Sequence, residues 1–235
     1  MTSNLAALAI DARDPERLLH FWGGVLEREV VDGTTLAPAG PHDFPIDIWP
    51  SEAPKPGPNQ MHLDLTSSSV EDQQAVVERV LRFGGSHLDI GQGDVDHVVM
   101  ADPEGNELCV IEPWNSFLAG CPRIGALSSD GTQAVGYFWS AVLGWPLVWD
   151  QDEETAIQSS AGGTKITWGG PPVEPKLAKN RFHLDVAPPA GADQQAEVAR
   201  LESLGARRID IGQGDVSWVV MADPDGNELC VLTPR

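Results

Sequence analysis

Residues Leu5–Ile10 form an unbroken apolar run of six, which fits a buried strand better than a helix. The spacing then changes. Leu18, Leu19, Trp22, Val25 and Leu26 recur every three or four residues, and Asp14-Pro15-Glu16 places a capping carboxylate and a proline where a helix begins. Short extended pieces are expected near 29–31, 34–36 and 44–49, followed by a Pro/Gly-rich loop over 50–58. Met61–Thr66 alternates as a strand. Residues 70–83 read as a second amphipathic helix with Val70, Val76, Val77, Val80 and Leu81 inward, stopped by Gly84-Gly85. Strands near 86–90, 97–101 and 106–111 follow, the last two joined as a hairpin through DPEGN (102–106).

The pattern then repeats. Residues 89–110 (DIGQGDVDHVVMADPEGNELCV) and 210–231 (DIGQGDVSWVVMADPDGNELCV) are identical at 19 of 22 positions, at an offset of 121. NQMHLDL (59–65) matches NRFHLDV (180–186) at the same offset, and Phe21-Trp22 matches Phe138-Trp139 at 117. The halves are therefore expected as domains 1–115 and 116–235, connected through 113–125. Each half reads as strand, helix and three strands, twice over. The fold class is α+β: four βαβββ units whose helices cover one face of a mixed sheet and leave the other face free to curl into a cup.

Composition narrows the partners. Fifteen basic against 35 acidic residues give a formal net charge of −20, which excludes nucleic acid and an anionic membrane surface as partners. The same charge attracts cationic ligands, although it also serves solubility. Three cysteines, Cys109, Cys121 and Cys230, are too few for a disulfide framework. The opening MTSNLAALAIDARD has no basic residue ahead of its apolar run, so no secretory leader is expected, and no later run is long enough to span a bilayer. The expected setting is the cytoplasm.

The unit order, the HLD strands, the helix ending in Gly and the DPxGNELCV turns resemble the glyoxalase-like branch of the vicinal oxygen chelate superfamily. KNRFHLDV (179–186), DPDGNELCV (223–231) and DARDPERLLHFWGGVLE (11–27) carry the likeness most specifically. The resemblance implies tandem vicinal oxygen chelate folds with cup-shaped sheets. The superfamily includes glyoxalases, dioxygenases, epimerases and drug-sequestering proteins, so it fixes the fold better than the reaction. It also implies a divalent metal in the cup.

The ligand set that the resemblance implies is incomplete here. Its opening-strand His falls on Ala7 and Ile124, and its Glu after DPxGN falls on Cys109 and Cys230. The mid-domain His is kept as His62 and His183. A fourth position, on the strand at 44–49, offers Asp47, with Trp168 as its repeat-mate. Strand alternation puts His62 on a face with Asp64 and Cys109 with Glu107; His183 joins Asp185, and Cys230 joins Glu228. His62 and His183 are thus the candidate metal ligands, with a structural role equally open. Glu107 and Glu228 are candidates for proton transfer or ligation. Asp64, Asp185, Cys109 and Cys230 are candidate ligand-binding groups, although a cysteine also serves as a small buried hydrophobe. Trp49 and Trp168 are candidates for stacking on a flat ligand, or for sealing the halves together. The GQGD segments (91–94, 212–215) read as solvent turns.

The expectation is a glyoxalase-like protein of unassigned substrate that binds a small molecule in the cup beside a degenerate metal site. The alternative is a metal-dependent lyase, isomerase or dioxygenase; a metal-free enzyme using a cup carboxylate is a third course. A monomer or weak homodimer is expected.

Overall fold

The computed structural model describes residues 2–235. The first unit holds β1 (Asn4–Ala12), α1 (Pro15–Leu26), β2 (Val30–Val31), β3 (Thr35–Leu36) and β4 (Ile46–Pro50). The second holds β5 (Met61–Leu65), α2 (Val70–Arg82), β6 (Ser86–His87), β7 (Val98–Ala101) and β8 (Glu107–Val110). The third holds β9 (Ile124–Ser129), α3 (Gln133–Leu143), β10 (Leu147–Gln151), β11 (Glu154–Ile157) and β12 (Lys165–Trp168). The fourth holds β13 (Phe182–Ala187), α4 (Gln194–Ser203), β14 (Arg207–Arg208), β15 (Val219–Ala222) and β16 (Glu228–Val231).

These strands build two eight-stranded mixed sheets, and each sheet takes one unit from each sequence repeat. One runs β14-β15-β16-β13-β1-β4-β3-β2, the other β10-β11-β12-β9-β5-β8-β7-β6. The central pairs, β1 with β13 and β5 with β9, are antiparallel, whereas β1–β4, β5–β8, β9–β12 and β13–β16 are parallel. The first and fourth units thus share one sheet, and the second and third share the other.

Local chemistry explains the helices. Asp14 accepts from the Arg17 amide and Pro15 opens α1, while Ser69 caps α2 through the Asp72 amide. The inward face of α2 differs from the apolar count. Val70 and Leu81 are exposed, and Gln73 is buried with Val76 and Val80. Its amide donates to the carbonyls of Asp96 and Val110, and Gln194 on α4 does the same for Ser217 and Val231. A buried amide that satisfies two strand-end carbonyls is more useful there than another methyl group.

The helix-facing sides of both sheets merge into one core that includes Leu8, Ile10, Trp22, Leu63, Leu127, Trp139, Phe182 and Leu229. The two DPxGN turns are tied to it. Trp22 Nε1 donates to Asp102 and Trp139 Nε1 to Asp223, each at 3.3 Å. Burial pushes both carboxyls up to about 6 against the donors of the turn. No helix among the described residues is long and apolar enough to cross a membrane.

Candidate functional site

Strand alternation sends Leu63 and Leu65 of β5 into the core and His62 and Asp64 to the opposite face; β13 repeats this with Leu184, Val186, His183 and Asp185. Because β5 lies parallel to β8, Asp64 sits beside Cys109. Likewise Asp185 sits beside Cys230. Two three-residue clusters result, His62–Asp64–Cys109 and His183–Asp185–Cys230. In each, the ligand-capable atoms lie within 4.8 Å of one another. His62 Nε2 is 3.3 Å from Asp64 Oδ1, and the same distance separates His183 from Asp185.

The cups differ across the central strand pair. Opposite His62 stands Ser128, whose hydroxyl donates to Asp64 Oδ2 and accepts from Thr167 at 3.2 Å. Opposite His183 stands Ala9, which has nothing to donate. His183 Nδ1 is buried without a hydrogen-bond partner, and Asp185 Oδ1, also buried, faces only His183 Nε2. Burial disfavours charge on His62, but Asp64 and Cys109 outweigh it and raise the imidazole to about 10. Burial and the neighbouring Asp185 push the Cys230 thiol far above its ordinary value. Burial also raises Asp47, helped by the charge of Asp185 and opposed by the Thr35 hydroxyl.

Several expectations need correction. Ile124 pairs with Leu65 and lies in the core, and Ala7 lies opposite Asp185. The strand-to-helix turn is two residues shorter in the second half, so the mate of Ala7 is Ala126, opposite Asp64, while Ser128 and Ala9 face the two histidines. Asp47 pairs with Ala9 as Thr167 pairs with Ser128, so the mate of Asp47 is Thr167 and not Trp168. Trp168 points the other way, 2% exposed in the core, and cannot stack on a ligand. Trp49 is 42% exposed and stands 6.4 Å from Trp218 at the rim of the His183 cup.

Glu107 and Glu228 are occupied elsewhere. Glu107 pairs with Lys55 at 2.6 Å and accepts from the Asn59 amide. Glu228 does the same with Lys176, at 2.6 Å, and the Asn180 amide. They fasten the two Pro-rich loops. The GQGD segments also behave unequally: Ile211, Gly212 and Gln213 line the His183 cup.

The His62 cup is an open cavity of about 710 Å³. Phe117 and Trp149 form one wall at 6.1 Å, edge to face, and Asp64, Asp130 and Glu154 bring carboxylates. The His183 cavity is smaller, about 450 Å³, and the cation on its wall, Lys179, is paired with Asp11. Sequence reasoning missed Ser128, Phe117 and Trp149. The alternation of IGALSS (124–129) would have found Ser128 once the register was right, whereas Phe117 lies in the segment read as a connection.

The glyoxalase-like domain family model matches residues 7–111 and 126–232, at the register the strands show. The chain belongs to the glyoxalase-like domain family. Among solved structures, glyoxalase I from Zea mays is similar over 99% of this chain and 92% of its own, at 13% identity and a TM-score of 0.63. A candidate dioxygenase from Bacillus subtilis is similar over 99% and 86%, at 15% identity and a TM-score of 0.64. At such identities the likeness is one of fold. No curated protein matches the sequence. Against the metal set that this family implies, the His62 cup offers Ala126, His62, Thr167 and Cys109, and the His183 cup offers Ala7, His183, Asp47 and Cys230. Neither is the usual hard, carboxylate-rich set. The buried His183 Nδ1, which lacks a partner, fits a cation better than the satisfied donors of the other cup.

Proposed function

We propose that this glyoxalase-like protein binds a small, flat, cationic organic molecule in the His62 cup, without the metal chemistry of its enzyme relatives there. The observation that carries this reading is the 710 Å³ cavity itself, which joins an aromatic wall to three carboxylates. Its size is that of ordinary small-molecule sites. Trp149 is 37% exposed and presents a face on which a ring can stack, and a cation near such a face gains about 0.5–2 kcal/mol. The net charge of −20 draws the same class of ligand in from solution.

The residues also speak for binding over turnover. Of the positions where the family implies metal ligands, one is Ala126 and another is Thr167, whose hydroxyl is engaged with Ser128. Glu107 is fastened to Lys55. Asp64 already holds His62 and Ser128, so no carboxylate at the cluster is free to act as a base. A thermal-shift screen of planar cations against planar anions tests the reading. Stabilisation by the cations, lost in Trp149→Ala, is expected; stabilisation by anions alone would contradict it.

The His–Asp–Cys cluster of the His183 cup favours a second reading, that of a metal-dependent lyase, isomerase or dioxygenase. A divalent metal held there would supply Lewis-acid polarisation of a bound oxygen. His183, Asp185 and Cys230 would hold it, and Trp49 and Trp218 would orient a substrate beside it. Turnover of a 2-oxoaldehyde–thiol adduct or a catechol by the metal-loaded protein, lost in His183→Ala, would support this second reading.

A further inference from the structure

The repeat lets each cup be compared with the other, residue by residue. ALAID (7–11) aligns with ALSSD (126–130), which makes Asp11 and Asp130 mates. Their backbones agree. The Asp11 amide donates to the Arg181 carbonyl and the Asp130 amide to the Gln60 carbonyl, each at 2.8 Å, and Arg181 and Gln60 are themselves mates at the offset of 121. Both carboxylates stand on a cup wall. In the His183 cup, Asp11 accepts from the ammonium of Lys179, which lines the same wall.

In the His62 cup the residues that fill this corner are exchanged for smaller ones. The mate of Lys179 is the exposed Pro58, and the mate of Trp218 is His97. Trp49 pairs with Asp11, whereas Trp168 pairs with Ser129, so Gly169 takes the place of Trp49 beside Asp130. A side chain built at Gly169 would meet nothing within 4 Å. The cavity is the larger of the two, 710 Å³ against 450 Å³. Asp130 accepts from the Glu174 amide through Oδ2, at 2.9 Å, and among the described residues it holds no cation. Asp64 is already engaged by Ser128 and His62. Asp130 is thus the carboxylate whose mate shows what it can hold.

We propose that the ligand of the His62 cup is an arylalkyl ammonium, whose localised –NH₃⁺ pairs with Asp130 as the Lys179 ammonium pairs with Asp11. Its ring lies against the Trp149 wall, and its alkyl arm enters the corner that Gly169 and Pro58 leave open. An alkylammonium brings three N–H donors, and a charge-assisted hydrogen bond to a carboxylate is roughly twice as strong as a neutral one. A quaternary ammonium carries the same charge with no donor, so the site discriminates between the two. The inference rests on the reading of this cup as a site for organic cations, and adds the form of the charge and the residue that selects it.

The test is isothermal titration calorimetry of the full chain with tryptamine, its N,N,N-trimethyl quaternary analogue and proflavine. Tryptamine should bind at one site per chain, about tenfold more tightly than the quaternary analogue. Asp130→Asn should weaken tryptamine about tenfold. Pro58→Lys returns the lysine of the repeat to an exposed loop position, and should weaken tryptamine by a similar factor because its own ammonium reaches Asp130. Thermal melts establish that each variant is folded, and Pro58→Lys carries the test if Asp130→Asn is not. Equal binding of the quaternary analogue, or tryptamine binding unchanged in both variants, would overturn the proposal. Binding of proflavine without tryptamine would overturn it and leave the cup a site for cations; if neither binds, both readings fall.

Discussion

Ser128 donates its hydroxyl to Asp64 across the β5–β9 pair, and the residue standing in its place in the other sheet is Ala9. Asp64 thus has a hydroxyl partner that Asp185 lacks. Ser128→Ala should destabilise the protein by about 1–3 kcal/mol in urea denaturation, because Asp64 loses a partner in a half-buried position.

His62 should remain protonated well above neutral pH. Its folded value of about 10 exceeds the ordinary 6.5, so the fold favours the charged form. The resulting stability is complete below pH 6.5 and is lost as pH rises through about 10. Imidazole NMR should show no His62 titration between pH 6 and 8. In Asp64→Asn the main raising partner is gone, and titration should fall into the ordinary histidine range; a wild-type midpoint below 7 would remove the ion-pair account.

The loop fastenings give a separate prediction. Lys176→Met leaves the Glu228 carboxylate, 6% exposed, without its cation. A loss of ~2 kcal/mol is expected, less than for a fully buried pair because the lysine is partly solvated. Amide exchange should quicken over 172–180. Ligand binding in the His62 cup, which belongs to the other sheet, should be unchanged.

Much of this architecture was legible in the sequence. The Asp14 cap, the apolar spacing of α1 and the duplicated DPxGN turns led directly to the observed elements, because those signals are local. His62 and His183 were visible through the repeat, and alternation placed Asp64 and Asp185 beside them. Which strand lies opposite was not legible. The identity of Ser128 and Ala9 as facing residues depends on a register set by strands more than 60 residues apart, and a two-residue length change hid it. Of the two readings of Trp168, its place in the core fits the sealing one, since a shift of one residue turns a strand side chain from cup to core. The Lys55–Glu107 and Lys176–Glu228 pairs bring loops back onto strands, and no spacing rule marks such a contact.

The exchange of units between sheets predicts how a half behaves alone. A chain ending at residue 115 supplies one unit to each sheet and completes neither. Light scattering should find it dimeric, with the second copy taking the place of the missing units, or unfolded. A stable folded monomer would contradict the shared sheets as the unit of stability.

The most direct test of the binding account is a fluorescence titration with proflavine, a planar aromatic cation, beside the planar anion 8-anilinonaphthalene-1-sulfonate. Saturable binding of proflavine at one site per chain is predicted, weakened on the order of tenfold in Trp149→Ala and again in Glu154→Gln, a loss of about 1.4 kcal/mol at each step. Failure of proflavine to bind, binding indifferent to both substitutions, or tighter binding of the anion would contradict a cup built for cations.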